Sequence, residues 1–158
     1  MGHERVAVTA DHNGSAVKER VVAWLRERGH EVDDRAPAPT GEPVDYPALC
    51  EDVCRRVLAG AAGFAVVVGG SGQGEQIACN KIRGIRAALC NEDFATGIAR
   101  AHNDANVMVI GAKVVGPDDA ARLLGIWCDA VFKEGPHRRR LDQIAVLERG
   151  GTLLRDGG

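Results

Sequence analysis

Short apolar runs alternate with amphipathic stretches along the whole chain, and this alternation limits the possible folds more than any other feature. Arg5 to Ala10 (RVAVTA) reads as a buried strand that is broken by Asp11-His12-Asn13-Gly14. Ser15 is placed to cap a helix reaching Arg28, with Val17, Val21, Trp24 and Leu25 on its apolar face and Gly29 as its stop signal. The unit then repeats. His30 to Asp33 predicts a short strand, Ala36 to Pro43 a Pro- and Gly-rich loop, and Tyr46 to Ala59 a helix. Gly63 to Val68 is the most strand-like segment, and it runs through Gly69 to Gly74 into a helix from Glu75. Ile85 to Leu89 and Val107 to Ile110 are the remaining strands, with helices over Asp93 to His102 and Pro117 to Phe132.

Five short apolar strands separated by helices predict a parallel sheet covered on both faces, because each crossover helix must bury its apolar stripe. The expected class is therefore α/β, a three-layer α/β/α Rossmann-like (flavodoxin-like) fold with a five-stranded parallel sheet. A last amphipathic helix, His137 to Arg149, has no strand partner and is available to pack against another subunit. The 158 residues suffice for one sizeable core and are treated as a single domain, 1–158. Ligands in such folds bind at the carboxyl ends of the strands. Here those ends are Asp11-His12, Gly69 to Glu75, Asn91-Glu92 and Gly111 to Lys113.

Composition removes several classes of function. With 45% hydrophobic and 27% charged residues the chain reads as globular, no stretch approaches a membrane span, and the run Val6 to Ala10 is too short for a signal peptide. A cytoplasmic protein is expected. A formal net charge of −2 offers no general attraction to nucleic acid. Cys50, Cys54, Cys79, Cys90 and Cys128 contain no CxxC pair and no histidine at metal-ligand spacing, and they read as reduced core residues. Cys50 and Cys54 share a helical face, which leaves a redox or metal pair open beside the favoured reading of buried packing.

The loop Gly69 to Gly74 holds four glycines where a strand turns into a helix. It matches neither the P-loop nor the dinucleotide-binding spacing, so by itself it is either a tight structural turn or a donor-rich anion site. Glu75 follows at once. A carboxylate there can simply complement the helix dipole, or it can act as a general base whose enediolate product the loop N–H groups hold. His102 at a helix end leaves a structural and a catalytic reading open, and Arg138, Arg139 and Arg140 can form a solvated face or a small anion site.

GGSGQGEQIACNK (Gly69 to Lys81) resembles the signature loop of type B ribose-5-phosphate isomerases and the related galactose-6-phosphate isomerase subunits, in the branch that uses glutamate where others use cysteine. Gly69 stands at the place resembling that cysteine. TADHNG (Thr9 to Gly14), DYP (Asp45 to Pro47), AHND (Ala101 to Asp104), GAKVVG (Gly111 to Gly116) and HRRRLD (His137 to Asp142) follow the same family in register. The resemblance implies interconversion of ribose 5-phosphate and ribulose 5-phosphate by ring opening and a cis-enediolate. Glu75 would be the base, His102 the ring opener, and Ser71 and Asp11 further catalytic groups. Substrate contacts would come from His12, Tyr46, Gly70, Gly72, Gly74, Asn103, Lys113, His137 and Arg140. It also implies a homodimer, or a tetramer built from it, with sites between subunits, and no metal, nicotinamide, flavin or other cofactor. The chain departs from the family at Pro136, where an arginine is usual, and at Lys113, where a related branch has arginine. Proline loses charge and donor together, and lysine loses the bidentate fork. These departures keep alternative substrates open: a tetrose phosphate, a 6-phosphohexose or an unphosphorylated sugar. A nucleotide- or ligand-binding module on the same architecture is the reading from another class, and it has no use for Glu75 and His102 together.

Overall fold

The structure is a computed structural model that describes residues 3–154. Its strands are β1 (Arg5–Ala10), β2 (Glu31–Asp34), β3 (Phe64–Gly69), β4 (Ala87–Leu89) and β5 (Val107–Gly111). Its helices are α1 (Ser15–Glu27), α2 (Tyr46–Leu58), α3 (Gln73–Asn80), α4 (Asp93–Asn103), α5 (Pro117–Asp129) and α6 (Pro136–Glu148). All strand pairs are parallel, in the order β2-β1-β3-β5-β4. The expected three-layer class is the one observed, but the last two strands are interchanged relative to a sequential flavodoxin-like order. The reason lies in burial. Every residue of β5 is buried and occupies an interior position, whereas the three-residue β4 is half-buried at the edge.

Residues along the strands alternate between two cores, as the two-residue period requires. Val6, Val8, Phe64, Val66, Met108 and Ile110 face the layer of α1, α4 and α5, where Phe64 and Trp127 pack at 6.0 Å between ring centroids. Ala7, Ala65, Val67, Val107 and Val109 face the layer of α2 and α3, together with Cys50, Cys54 and Cys79. All five cysteines are buried free thiols. Burial drives the Cys90 and Cys128 thiols up to about 12 and about 11, so they act as small hydrophobes.

Several boundaries differ from the sequence expectation, each for a tertiary reason. Gly14, not Ser15, is the N-cap of α1, because a Cβ at Gly14 would lie 2.7 Å from the Val68 carbonyl oxygen. α3 begins at Gln73 after a left-handed Gly72 (φ 78°), so Glu75 lies inside the first turn rather than at its start. β4 loses Ile85 and Arg86, since the Asn106 side-chain oxygen takes the Arg86 backbone N–H at 2.8 Å. α5 stops at Asp129 because Ala130 turns extended, and the Lys133 N–H then bonds the Ala101 carbonyl at 2.7 Å. Helix α6 touches α4 and anchors through one buried residue, Leu141. Among the described residues no helix is long and apolar enough to cross a membrane.

Candidate active site

The carboxyl ends of β1 and β3 meet where the Asp11 N–H donates to the Val68 carbonyl at 3.1 Å. That bond draws Asp11, only 8% exposed, under the glycine-rich loop. The Asn13 backbone N–H donates to Asp11 Oδ1 at 2.8 Å and Asn13 Nδ2 to Oδ2 at 3.2 Å. His12 turns outward, with the Val44 backbone N–H donating to its Nδ1 at 3.2 Å. A cavity of about 290 Å³ opens beside Asp11 and His12, walled by Ser15, Lys18 and residues 36–42; Glu75 is not part of its wall.

The loop after β3 is pinned on its other side by the turn after β5. The Ala112 N–H donates to the Gly69 carbonyl at 2.8 Å and the Lys113 N–H to the Gly70 carbonyl at 2.9 Å. Two of its glycines are required by close approach: a Cβ at Gly72 would strike Leu89 and one at Gly74 would overlap the Tyr46 hydroxyl. Tyr46 therefore sits on the loop next to Glu75. Ser71 Oγ accepts the Gln73 N–H at 3.3 Å, and the residue is exposed at the mouth.

Glu75 is 4% exposed, and its carboxylate fills the space a side chain at Gly69 would need. A side chain at position 69 and a glutamate at 75 thus compete for one volume. Burial raises the Glu75 carboxyl above the ordinary glutamate range; its own backbone N–H opposes this, and the neighbouring Asp11 carboxylate reinforces it. A carboxylate whose proton affinity is raised is a stronger base toward carbon than an ordinary glutamate. Behind it Cys50 Sγ donates to the Glu75 carbonyl at 3.8 Å.

Asp11, His12, Tyr46, Gly70, Ser71, Gly72, Gly74, Glu75 and Lys113 are thus gathered at the carboxyl edge of the sheet. His102, Asn103, His137 and Arg140 are not. β3 and β5 pair from Ala65↔Val107 to Gly69↔Gly111, and the Ala65 N–H bonds the carbonyl of Asn106, just beyond the end of α4. His102 therefore lies at the amino edge, separated from the Glu75 end by four residue steps, about 13 Å of strand. There it stacks on His137 with centroids 3.9 Å apart. Partial burial, then the charges of His102, Arg140 and Lys133, lower the His137 imidazole. Arg138 lies 4.7 Å over the Phe132 ring and 3.7 Å from Glu134, whereas no carboxylate among the described residues pairs with Arg140. Pro136 opens α6 after Gly135 (φ 69°), so its ring occupies a first-turn position that needs no N–H. Each edge of the sheet carries part of the expected constellation.

Sequence reasoning assigned no role to Asn13, to the Val44 N–H or to Cys50. A side-chain amide two residues after an aspartate is a recognisable turn signal, but the other two contacts depend on tertiary packing. Among the described residues no cluster of three or more His, Cys, Asp or Glu side chains is arranged to hold a metal ion.

Comparison with known proteins adds to this geometry. The profile of the family described as Ribose/Galactose Isomerase matches residues 6–144. Ribose-5-phosphate isomerase B of Escherichia coli is 36% identical over 146 residues, covering 92% of this chain and 97% of that protein. D-erythrulose-4-phosphate isomerase of Pectobacterium atrosepticum is 32% identical over 143 residues, covering 90% and 94%. Among solved structures, ribose-5-phosphate isomerase B of Clostridium thermocellum superposes with a TM-score of 0.88 at 36% identity, covering 92% of this chain and 98% of that one.

Proposed function

The chain belongs to the ribose/galactose isomerase family, and from that membership we propose that it interconverts ribose 5-phosphate and ribulose 5-phosphate. The observation that carries the mechanism is the buried Glu75 carboxylate, set over Gly69 beside the glycine-rich loop with its proton affinity raised. A closed furanose has no free carbonyl and no acidic C2 proton, so a proton exchange at the ring oxygen must come first; His102 supplies it. Glu75 then takes the C2 proton of the open aldose. Negative charge passes to the carbonyl oxygen, where the loop N–H groups and Ser71 stabilise it. Return of the proton to C1, with hydroxyl and carbonyl exchanged between O1 and O2, completes the ketose. Asp11, His12 and Tyr46 hold the sugar.

Because His102 and Glu75 lie at opposite edges of one sheet, the working unit is a homodimer in which Asn103, His102, His137 and Arg140 of one copy complete the carboxyl-edge site of the other. The exposed apolar side chains Ile77, Phe94 and Val114, at 60%, 75% and 62% exposure, support such an association. We take residues 1–158 as one domain of a cytoplasmic sugar-phosphate enzyme, with a tetramer built from two such dimers as the larger alternative. Pro136 and the tetrose-phosphate relative favour one second reading, a substrate other than ribose 5-phosphate. Ketose formation from ribose 5-phosphate, tetrose phosphates, allose 6-phosphate and free pentoses decides between them. In heavy water the preferred sugar should gain deuterium beside its carbonyl. Deuterium gained at any other carbon would contradict the proton transfer.

A further inference from the structure

Asn13 stands where three parts of the carboxyl-edge site meet. Its backbone N–H and side-chain amide grip the two oxygens of Asp11 separately, at 2.8 and 3.2 Å. A carboxylate held through both oxygens cannot swing about its last torsion, and two donors are what a buried carboxylate requires. The same amide nitrogen lies 3.2 Å from His12 Nε2, and a Cβ added at Gly70 would meet it at 3.4 Å. The side chain is therefore confined between Asp11, His12 and the glycine-rich loop.

The backbone N–H of Val44 settles how these groups share protons. It can only donate, so His12 Nδ1 accepts, and the neutral imidazole carries its proton on Nε2. Two N–H groups cannot bond one another. The Asn13 hydrogens accordingly stay with Asp11, and the Nε2–H of His12, with no acceptor among the described residues, is left for an oxygen of a bound sugar.

We propose that Asn13 is a positioning residue of the isomerase, holding the Asp11 carboxylate in the orientation in which it meets the sugar beside Glu75. The inference rests on the isomerase reading above. Asn13 acts through Asp11 and does not touch the reacting carbons.

The test is a double-mutant cycle in kcat/KM on ribose 5-phosphate. Asn13→Ala should lower kcat/KM about ten- to a hundredfold, as loss of a hydrogen bond to a charged group does, while the protein still melts cooperatively. Asn13→Asp keeps the shape but sets a carboxylate against Asp11, so it should be worse than alanine. In an Asp11→Ala background, Asn13→Ala should cost less than about threefold, because the group it positions is gone. An aspartate variant more active than the alanine variant would make Asn13 a space filler, and a full additive penalty would mean it acts independently of Asp11; either overturns the proposal. A readout without turnover separates this from failure of the isomerase reading. Nitrogen-15 NMR should show His12 protonated at Nε2, and Asn13 side-chain amide resonances displaced by Asp11→Asn. A proton on Nδ1, or unmoved Asn13 resonances, would overturn the proposal even in a chain that isomerises nothing.

Discussion

Replacing Gly69 by alanine adds one methyl group where the Glu75 carboxylate lies. Non-bonded carbon atoms settle at about 3.5–4.0 Å, so the carboxylate, the new methyl or the α3 start must yield by about an ångström or more. A base moved about 1 Å from its working position forfeits roughly a hundredfold in rate. Overpacking of this kind costs about 1–3 kcal/mol, and each kcal/mol lowers Tm by about 2–4 °C in a chain of this size. Gly69→Ala should therefore lower kcat on ribose 5-phosphate by about two decades while the protein still melts cooperatively a few degrees below the parent. In a Glu75→Ala background the same change should be nearly silent, because the competing carboxylate is gone. Since position 69 is where the family resemblance places a cysteine, Gly69→Cys combined with Glu75→Ala should recover activity over Glu75→Ala alone. Steady-state kinetics with circular dichroism melts on the parent and the four variants are the assay. A Gly69→Ala enzyme of near-parental turnover would refute the reasoning, since Glu75 could not then work from the position described.

Three further outcomes are predicted. Folding raises the Glu75 carboxyl through burial and Asp11, so this group favours the folded state fully below the unfolded value and loses that contribution as pH rises through the folded one. Turnover needs the carboxylate and so rises over the same window; Glu75→Gln should cost about two to four orders of magnitude in kcat yet melt no lower than the parent at neutral pH, and a melt well below it would contradict the burial penalty. His102→Asn should damage turnover of furanose-forming sugars far more than that of tetrose phosphates, which cannot close a phosphorylated furanose ring, and equal losses on both would reject the ring-opening role. Pro136→Arg should tighten phosphorylated sugars about ten- to a hundredfold by restoring a charge-assisted bond near the dianion, with unchanged Kd for every phosphorylated sugar as the contrary result.

Periodicity and breakers carry the layer architecture, because β3 and the helix faces of α1 and α2 are decided locally. The loop residues Gly69 to Glu75 and the motifs around Asp11 and His102 were equally legible, since each is a contiguous pattern. Other features depend on long-range packing. β5 displaces β4 toward the edge through its greater burial, and α3 starts early because Gly72 is left-handed against Leu89. The parallel strand-helix-strand order already runs α4 back to the amino edge, away from Glu75, and the register of β3 and β5 fixes the distance between His102 and that site. Asn13 escaped assignment because its bonds to Asp11 and its approach to His12 arise only when the turn is folded.

A tagged heterodimer of a Glu75→Gln chain and a His102→Asn chain, isolated after co-expression, tests the division of the site most directly. Each homodimer should be nearly inactive on ribose 5-phosphate. In the heterodimer, one site would join the intact Glu75 of one copy to the intact His102 of the other, while the second site carries both lesions. Two-fold symmetry then predicts about half the parental activity per dimer. A heterodimer as inactive as its two parents would show that Glu75 and His102 do not meet across a subunit boundary.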